Sequence, residues 1–144
     1  MRMEQRQQKS ITIIKTPDNK DYSELEKFGL KFLRNNNIKQ YDKTLFRRYF
    51  ARCVSHGFAR IVVHEGKIVG GMFALILPNN WGKKMALDLW CYSEMYTPQL
   101  LKEYKKWAGD TPAVVTNTFG NERFDRLIEL MGFKKTSTVF VSGE

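Results

Sequence analysis

The sequence predicts an α+β fold in one domain, with elements in the order β-α-α-β-β-β-α-β-α-β, and three observations carry that prediction. Stripes of apolar residues at helical spacing alternate with short β-type runs. Two of those runs are joined by Glu65-Gly66, a tight-turn dipeptide between alternating apolar residues. The third observation is the stretch 117–133, where Phe124, Leu127, Ile128 and Met131 recur at helical spacing between Asn121 and Gly132. Asparagine is a preferred N-cap and glycine a preferred left-handed C-cap, so this stretch reads as a turn and a capped helix. Strand-like runs, 113–116 and 137–141, flank it.

The remaining elements follow in order. A basic tail, 1–9, precedes a domain over 10–144. Ile11-Thr12-Ile13-Ile14 is a first strand, closed by Thr16-Pro17-Asp18. From Asp21, the residues Tyr22, Leu25, Phe28, Leu30, Phe32 and Leu33 predict an amphipathic helix that stops in Asn35-Asn36-Asn37. A second helix starts near Asp42, with Leu45, Phe46, Tyr49, Phe50, Cys53 and Val54 on its apolar side, and ends at His56-Gly57. Strands 58–64 and 67–77 come next; Gly70 and Gly71 in the second imply a bulge or a close approach there. A loop, 78–82, leads into strand 85–94, where alternation places Asp88, Trp90, Tyr92 and Glu94 on one face. Thr97 then caps a helix over 98–107 that has Pro98 at its first position.

Composition sets the outer limits. A chain of 144 residues buries a single core. Hydrophobic residues at 42% and a mean hydropathy of −0.45 describe an ordinary soluble protein. No apolar run has membrane-spanning length and no secretory signal precedes Ile11. Cys53 and Cys91 lack a paired spacing, which suits a reducing compartment and excludes a zinc knuckle; a cytoplasmic protein is expected. His56 and His64 have no second ligand at metal spacing. The net charge of +9 favours contact with nucleic acid, an anionic surface or a polyanionic cofactor, though a solvated surface accounts for most of the lysines and arginines.

The asparagine-to-Gly-Phe helix resembles the last helix of the GCN5-related N-acetyltransferase (GNAT) superfamily. Asn121, Phe124, Leu127, Ile128, Gly132 and Phe133 fall on its Asn, Ala, Leu, Tyr, Gly and Phe positions. Val69-Gly70-Gly71-Met72 resembles a strand common in the same superfamily. The resemblance implies a mixed, mostly antiparallel sheet with helices on both faces. It also implies that strand 85–94 splays from its neighbour and grips the pantetheine arm of acetyl-CoA. Asp88 or Glu94 would then be the general base, with a strand amide between Trp90 and Tyr92 for the oxyanion. Trp90, Cys91, Thr97, Asn121 and Phe124 would line the cofactor.

Two departures from the family pattern stand out. Ile128 replaces the tyrosine that protonates the departing thiolate, so Tyr92, Tyr96 or a water would have to serve. The glycine-rich turn that cradles the pyrophosphate is absent, and Met95-Tyr96-Thr97-Pro98-Gln99 stands in its place. Two readings follow from the resemblance. One is an N-acyltransferase that moves an acetyl group from acetyl-CoA to an amine on a small molecule or protein. The other is a catalytically degenerate module resembling small GNAT-like proteins of T7-like bacteriophages, acting in binding or virion assembly in the host cytoplasm or virion, with its basic surface meeting nucleic acid or a virion protein.

Overall fold

The structure is a computed structural model that describes residues 11–117, 120–136, 140, 142 and 143. The chain divides into two compact units, Met1–Val114 and Val115–Glu144. The basic tail, Phe119 and all of the last expected strand except Phe140 and the residues flanking it at 142–143 lie outside the described residues.

In the first unit the elements run β1 (Thr12–Lys15), α1 (Tyr22–Asn35), α2 (Lys43–His56), β2 (Phe58–His64), β3 (Lys67–Pro78), β4 (Lys84–Ser93), α3 (Thr97–Ala108) and β5 (Ala113–Val114). The five strands form one sheet in the order β1-β2-β3-β4-β5. The first four pair antiparallel, and β5 joins β4 in parallel. A parallel neighbour needs a crossover, and α3 supplies it.

Helices cover both faces of this sheet. On one face Phe50 of α2 meets Phe73 edge-on at 5.8 Å, and Phe28 of α1 meets Trp90 at 6.3 Å. Leu25, Cys53 and Ile61 are fully buried in the same cluster. On the other face Tyr104 of α3 packs 5.6 Å from Phe58, and Arg60 donates to Glu103 at 3.0 Å. Burying each large side chain here contributes roughly 1.5–3 kcal/mol.

Local chemistry explains the ends of the elements. Asp42 caps α2 by accepting from the Leu45 amide at 2.9 Å. At the end of α1, Asn37 takes the left-handed conformation (φ 60°), while the Ile38 amide donates to Leu33 and the Asn37 amide to Arg34. The asparagine run thus stops the helix with the bond pair usually built around glycine. Leu45 and Tyr49, expected on the apolar side of α2, are each 40% exposed, because Phe46, Phe50 and Cys53 already fill the space against the sheet.

The glycine pair in β3 has a steric cause. β3 carries an extra residue, Val69, between the pairs Val62–Gly70 and Val63–Ile68. Across the sheet, a Cβ on Gly70 would lie 1.8 Å from Ser93 Oγ, and one on Gly71 would lie 2.9 Å from the Trp90 ring. The close approach is made by side chains of β4. Gly70→Ala should therefore destabilise the protein by roughly 1–3 kcal/mol in urea unfolding, the usual range for overpacking; an unchanged midpoint would show that β3 and β4 sit farther apart.

In the second unit α4 (Glu122–Leu130) has both caps expected of it. Asn121 Oδ1 accepts from the amides of Arg123 (2.9 Å) and Phe124 (3.2 Å). Gly132 is left-handed (φ 90°), its amide donating to Glu129 and that of Phe133 to Ile128.

Candidate active site

Among the described residues β4 is paired with β3 from Lys84 to Ser93 except at Leu89, and with β5 for two residues. Beside β5 the register covers only Ala86–Ala113 and Leu87–Val114, flanked by the Ala86 amide donating to Pro112 at 2.8 Å. Where this pairing stops, the Tyr104 hydroxyl donates to the Val114 carbonyl at 2.8 Å. From Leu89 to Ser93, β4 has no strand partner on that edge among the described residues.

A bulge controls what the open edge displays. Phe73 pairs with Trp90 but Ala74 pairs with Asp88, so Leu89 is an extra residue in β4. Past the bulge, the Glu94 amide donates to Val69 on β3 at 2.9 Å. Antiparallel backbone groups alternate in direction, so those of Trp90 and Tyr92 point to β3, and those of Cys91 and Ser93 point to the open edge. Two amides and two carbonyls thereby face the open edge, at the place implied for a thioester.

The same bulge overturns the simple alternation. Asp88 does not share a face with Trp90 and Tyr92. Those two face α1, where Tyr92 stacks on Phe32 at 4.1 Å and Trp90 packs on Phe28. Asp88 lies with Cys91 on the α3 face. Burial, and then the Asp88 carboxylate, push the Cys91 thiol up to about 12, and the same two causes raise Tyr104. Glu94 falls just past β4 and pairs with Lys31 of α1 at 3.8 Å, in a half-exposed position. Burial, followed by the Glu94 charge, raises the Tyr92 hydroxyl.

The turn into α3 also differs from expectation. Thr97 is the first helical residue and not the cap; Tyr96 holds the cap position in a left-handed conformation (φ 62°) with no side-chain bond. Ser93 Oγ donates to the Met95 carbonyl and receives the Met95 amide at 3.4 Å. Pro98 removes one amide from the first turn. The open β4 edge therefore fits a pantetheine arm, whereas the anion-binding end is reduced to the amides of Thr97 and Gln99. Asn121 and Phe124 belong to the second unit, where Asn121 Oδ1 is committed to capping.

A group that periodicity alone did not single out lies on the α1 side of the sheet. A cavity of about 190 Å³ is lined by Glu26, Gly29, Tyr41, Phe46, Tyr49 and Trp90, among others. Glu26 Oε2 accepts from the hydroxyls of Tyr22 and Tyr41, both at 2.9 Å. The Tyr41 bond holds this carboxylate below its ordinary range, aided by Tyr22 and opposed by burial. Burial, then the bond to Glu26, raises Tyr41. The i, i+4 spacing of Tyr22 and Glu26 was a signal available in the sequence; the arrival of Tyr41 from the α1–α2 loop was not. Among the described residues no group of three or more His, Cys, Asp or Glu could hold a metal, and no helix is long and apolar enough to cross a membrane.

Because the folded pKa of Glu26 is depressed, its ionised form stabilises the fold above the unfolded value near 4.3, and this contribution is lost as pH falls through the lower folded value. Tyr41→Phe should cost about 1–2 kcal/mol at pH 7, and the gap to the parent protein should narrow as pH falls through the depressed folded value of Glu26. Unfolding curves across pH check this, and a gap independent of pH would remove the charged bond.

No protein-family model matches the sequence, and no curated protein matches it. Solved structures do. A protein of Clostridium acetobutylicum described as a predicted acetyltransferase, solved with acetyl-CoA, is similar with a TM-score of 0.65 at 14% identity, over 92% of this chain and 96% of that one. AAC(6')-Iy in complex with the bisubstrate analogue CoA-S-monomethyl-acetylneamine gives 0.66 at 12%, over 94% and 99%. A transcriptional regulator of Bacillus halodurans C-125 gives 0.69 at 14%, over 93% and 100%. At these identities the likeness is one of fold, and the chain has the mixed, mostly antiparallel α+β fold of the GNAT acetyltransferases.

Proposed function

We propose that this protein is an N-acyltransferase of the GNAT type that moves an acetyl group from acetyl-CoA to an amine. The observation that carries the reading is the end of β4–β5 pairing at Leu87 and Val114, which leaves the backbone groups of Cys91 and Ser93 turned outward. Acetyl-CoA, when bound, supplies an acyl thioester. The Cys91 amide is the donor set to stabilise the oxygen that gains charge during transfer. Ser93 offers the next backbone groups along the same edge to the pantetheine arm, and Thr97 an amide towards the phosphates.

The acceptor enters from the α1 side. Of the carboxylates near β4, Glu26 shares a cavity with Trp90, while Asp88 lies on the opposite face and Glu94 is drawn to Lys31. We therefore assign to Glu26 the role of positioning the amine. The nitrogen lone pair forms the C–N bond as the C–S bond breaks, sulfur leaves with the electron pair, and the nitrogen proton passes to water or a carboxylate. Ile128 supplies no proton, so the thiolate is met by water or by the 40% exposed Tyr96.

Isothermal titration at millimolar acetyl-CoA should show binding, and mixtures with amine acceptors should release free thiol. Absence of heat at those concentrations would sink the reading.

The binding-module reading has its own support in α2. Between Lys43 and His56 it carries Lys43, Arg47, Arg48 and Arg52 and no acidic residue. None of the three arginines is in an ion pair among the described residues. Retention of nucleic acid that falls steeply with salt would favour that reading.

A further inference from the structure

The turn between β3 and β4 holds a tryptophan out in solvent on an ordered backbone. Trp81 is 90% exposed, so almost none of its indole is used in packing. Beneath it, Asn79 Oδ1 accepts from the amides of Trp81 and Lys83, both at 2.9 Å. The Asn79 amide donates to the Lys83 carbonyl at 2.8 Å, and the Gly82 amide to the Asn79 carbonyl at 3.0 Å. Gly82 closes the turn in the left-handed conformation (φ 81°). One asparagine thus fixes the backbone on both sides of the indole. A single exposed apolar side chain is ordinary; one set on a backbone already fixed loses little freedom when something stacks on it.

Cations without partners stand near this tip. Lys83 and Lys84 follow Trp81 in the chain, and neither is in an ion pair among the described residues. The end of α2 is on the same stretch of sheet: a Cβ on Gly57, just past the helix, would meet Ala74 and Leu75. From Leu75 to Pro78, where the turn begins, is about 10 Å of strand. The exposed side of α2 carries Arg48, Tyr49 and Arg52 at i, i+1 and i+4. Arg47 lies over the Tyr22 ring and Lys43 is drawn to Glu26, so the fold itself uses those two. Arg48 and Arg52 are in no ion pair among the described residues, and neither α2 nor the turn 78–84 contains an acidic residue.

We infer that the β3–β4 turn and the exposed side of α2 bind single-stranded nucleic acid, with an unpaired base stacked on Trp81 and neighbouring phosphates held by Lys83, Lys84, Arg48 and Arg52. Stacking asks only for the face of a base, and cations follow the backbone whatever the sequence. A duplex hides those faces and offers Trp81 nothing but its backbone. An anionic membrane needs a broader apolar surface to sink below its headgroups, and this turn has one indole among two asparagines, a glycine and two lysines. Lys84 and Cys91 are seven residues apart along β4, about 20 Å. The surface is therefore separate from the open edge, and the inference does not rest on acyl transfer.

The test is fluorescence anisotropy of a dye-labelled oligothymidylate with the full chain over a salt series. Affinity should fall steeply, with a slope of log affinity on log salt of about −3 for four phosphate contacts on a single strand. Trp81→Ala removes a side chain the fold does not use; it should weaken binding about fivefold or more and leave that slope unchanged. Lys83→Gln with Lys84→Gln should make the slope shallower by about 1.4, and Arg48→Gln with Arg52→Gln should do the same. Four results overturn the inference: no binding at sub-millimolar protein, a flat salt response, a Trp81→Ala variant that binds like the parent, or equal or tighter binding once the strand is annealed to oligoadenylate. Binding to vesicles of anionic phospholipid without binding to the oligonucleotide also overturns it. The acetyl-CoA titration is read separately, so failure of either proposal leaves the other standing.

Discussion

The architecture of the candidate site depends on one asymmetry in hydrogen bonding: β4 pairs with β3 from Lys84 to Ser93, except at the bulged Leu89, and among the described residues pairs with β5 only at Ala86 and Leu87. Buried backbone groups are obligatory hydrogen-bonding groups, so a strand whose second edge is left without a ladder needs water or a ligand there. The bulge at Leu89 decides which groups those are, because one extra residue exchanges the inward and outward sets. Without it, Trp90 and Tyr92 would offer their backbone at the open edge, and their rings would leave the α1 face. With it, two aromatic rings anchor the strand in the core while the Cys91 and Ser93 backbone is free to bind. One inserted residue thus links packing to chemistry.

Much of this fold was legible in the sequence because its elements are strongly periodic and punctuated. The caps of α4, the asparagine stop of α1, the Glu65-Gly66 hairpin and the element order as far as α4 all follow from local preferences that the tertiary structure has no reason to override. Asp88 shows where such reading fails. Strict alternation grouped it with Trp90, Tyr92 and Glu94, and a bulge has no signature in β4 itself; its trace is the Gly70-Gly71 pair across the sheet, read as a close approach without knowing which strand approached. Thr97 fails for another reason. A threonine followed by proline has the chemistry of a cap, but the chain enters α3 one residue earlier, so the hydroxyl is inside the first turn.

The cluster around Glu26 was hidden because it is assembled over a sequence separation that periodicity does not sense. Leu30 and Leu33 looked like core residues by spacing. In the structure the core stripe is complete without them, since Tyr22, Leu25, Phe28 and Phe32 already fill the interface with the sheet and α2. A helix of 14 residues packed on one face has a second apolar stripe to spare, and the α1–α2 loop folds back over it, bringing Tyr41 to Glu26. Part of the surplus apolar surface that sequence reading assigned to the core, Leu33, lines the cavity beside Glu26.

The turn between β4 and α3 is built without the glycines that the resemblance to GNAT acetyltransferases implies for it. Tyr96 occupies a left-handed conformation that costs a residue with a Cβ on the order of 1 kcal/mol. Nothing about tyrosine favours that conformation, so the backbone path from an antiparallel strand into a crossover helix must require it, and the bonds between Ser93 and Met95 help to hold it. Glycine at such a position relieves this strain and also bares the amides to an anion. Here a tyrosine takes the left-handed position and a proline deletes an amide. The shape of the turn therefore belongs to the topology of the fold, and only its exposure belongs to cofactor binding. On the acyl-transfer reading proposed above, affinity for a coenzyme A thioester would then come mainly from the backbone groups of the β4 edge, and less from the charge of the phosphates than the +9 surface would suggest.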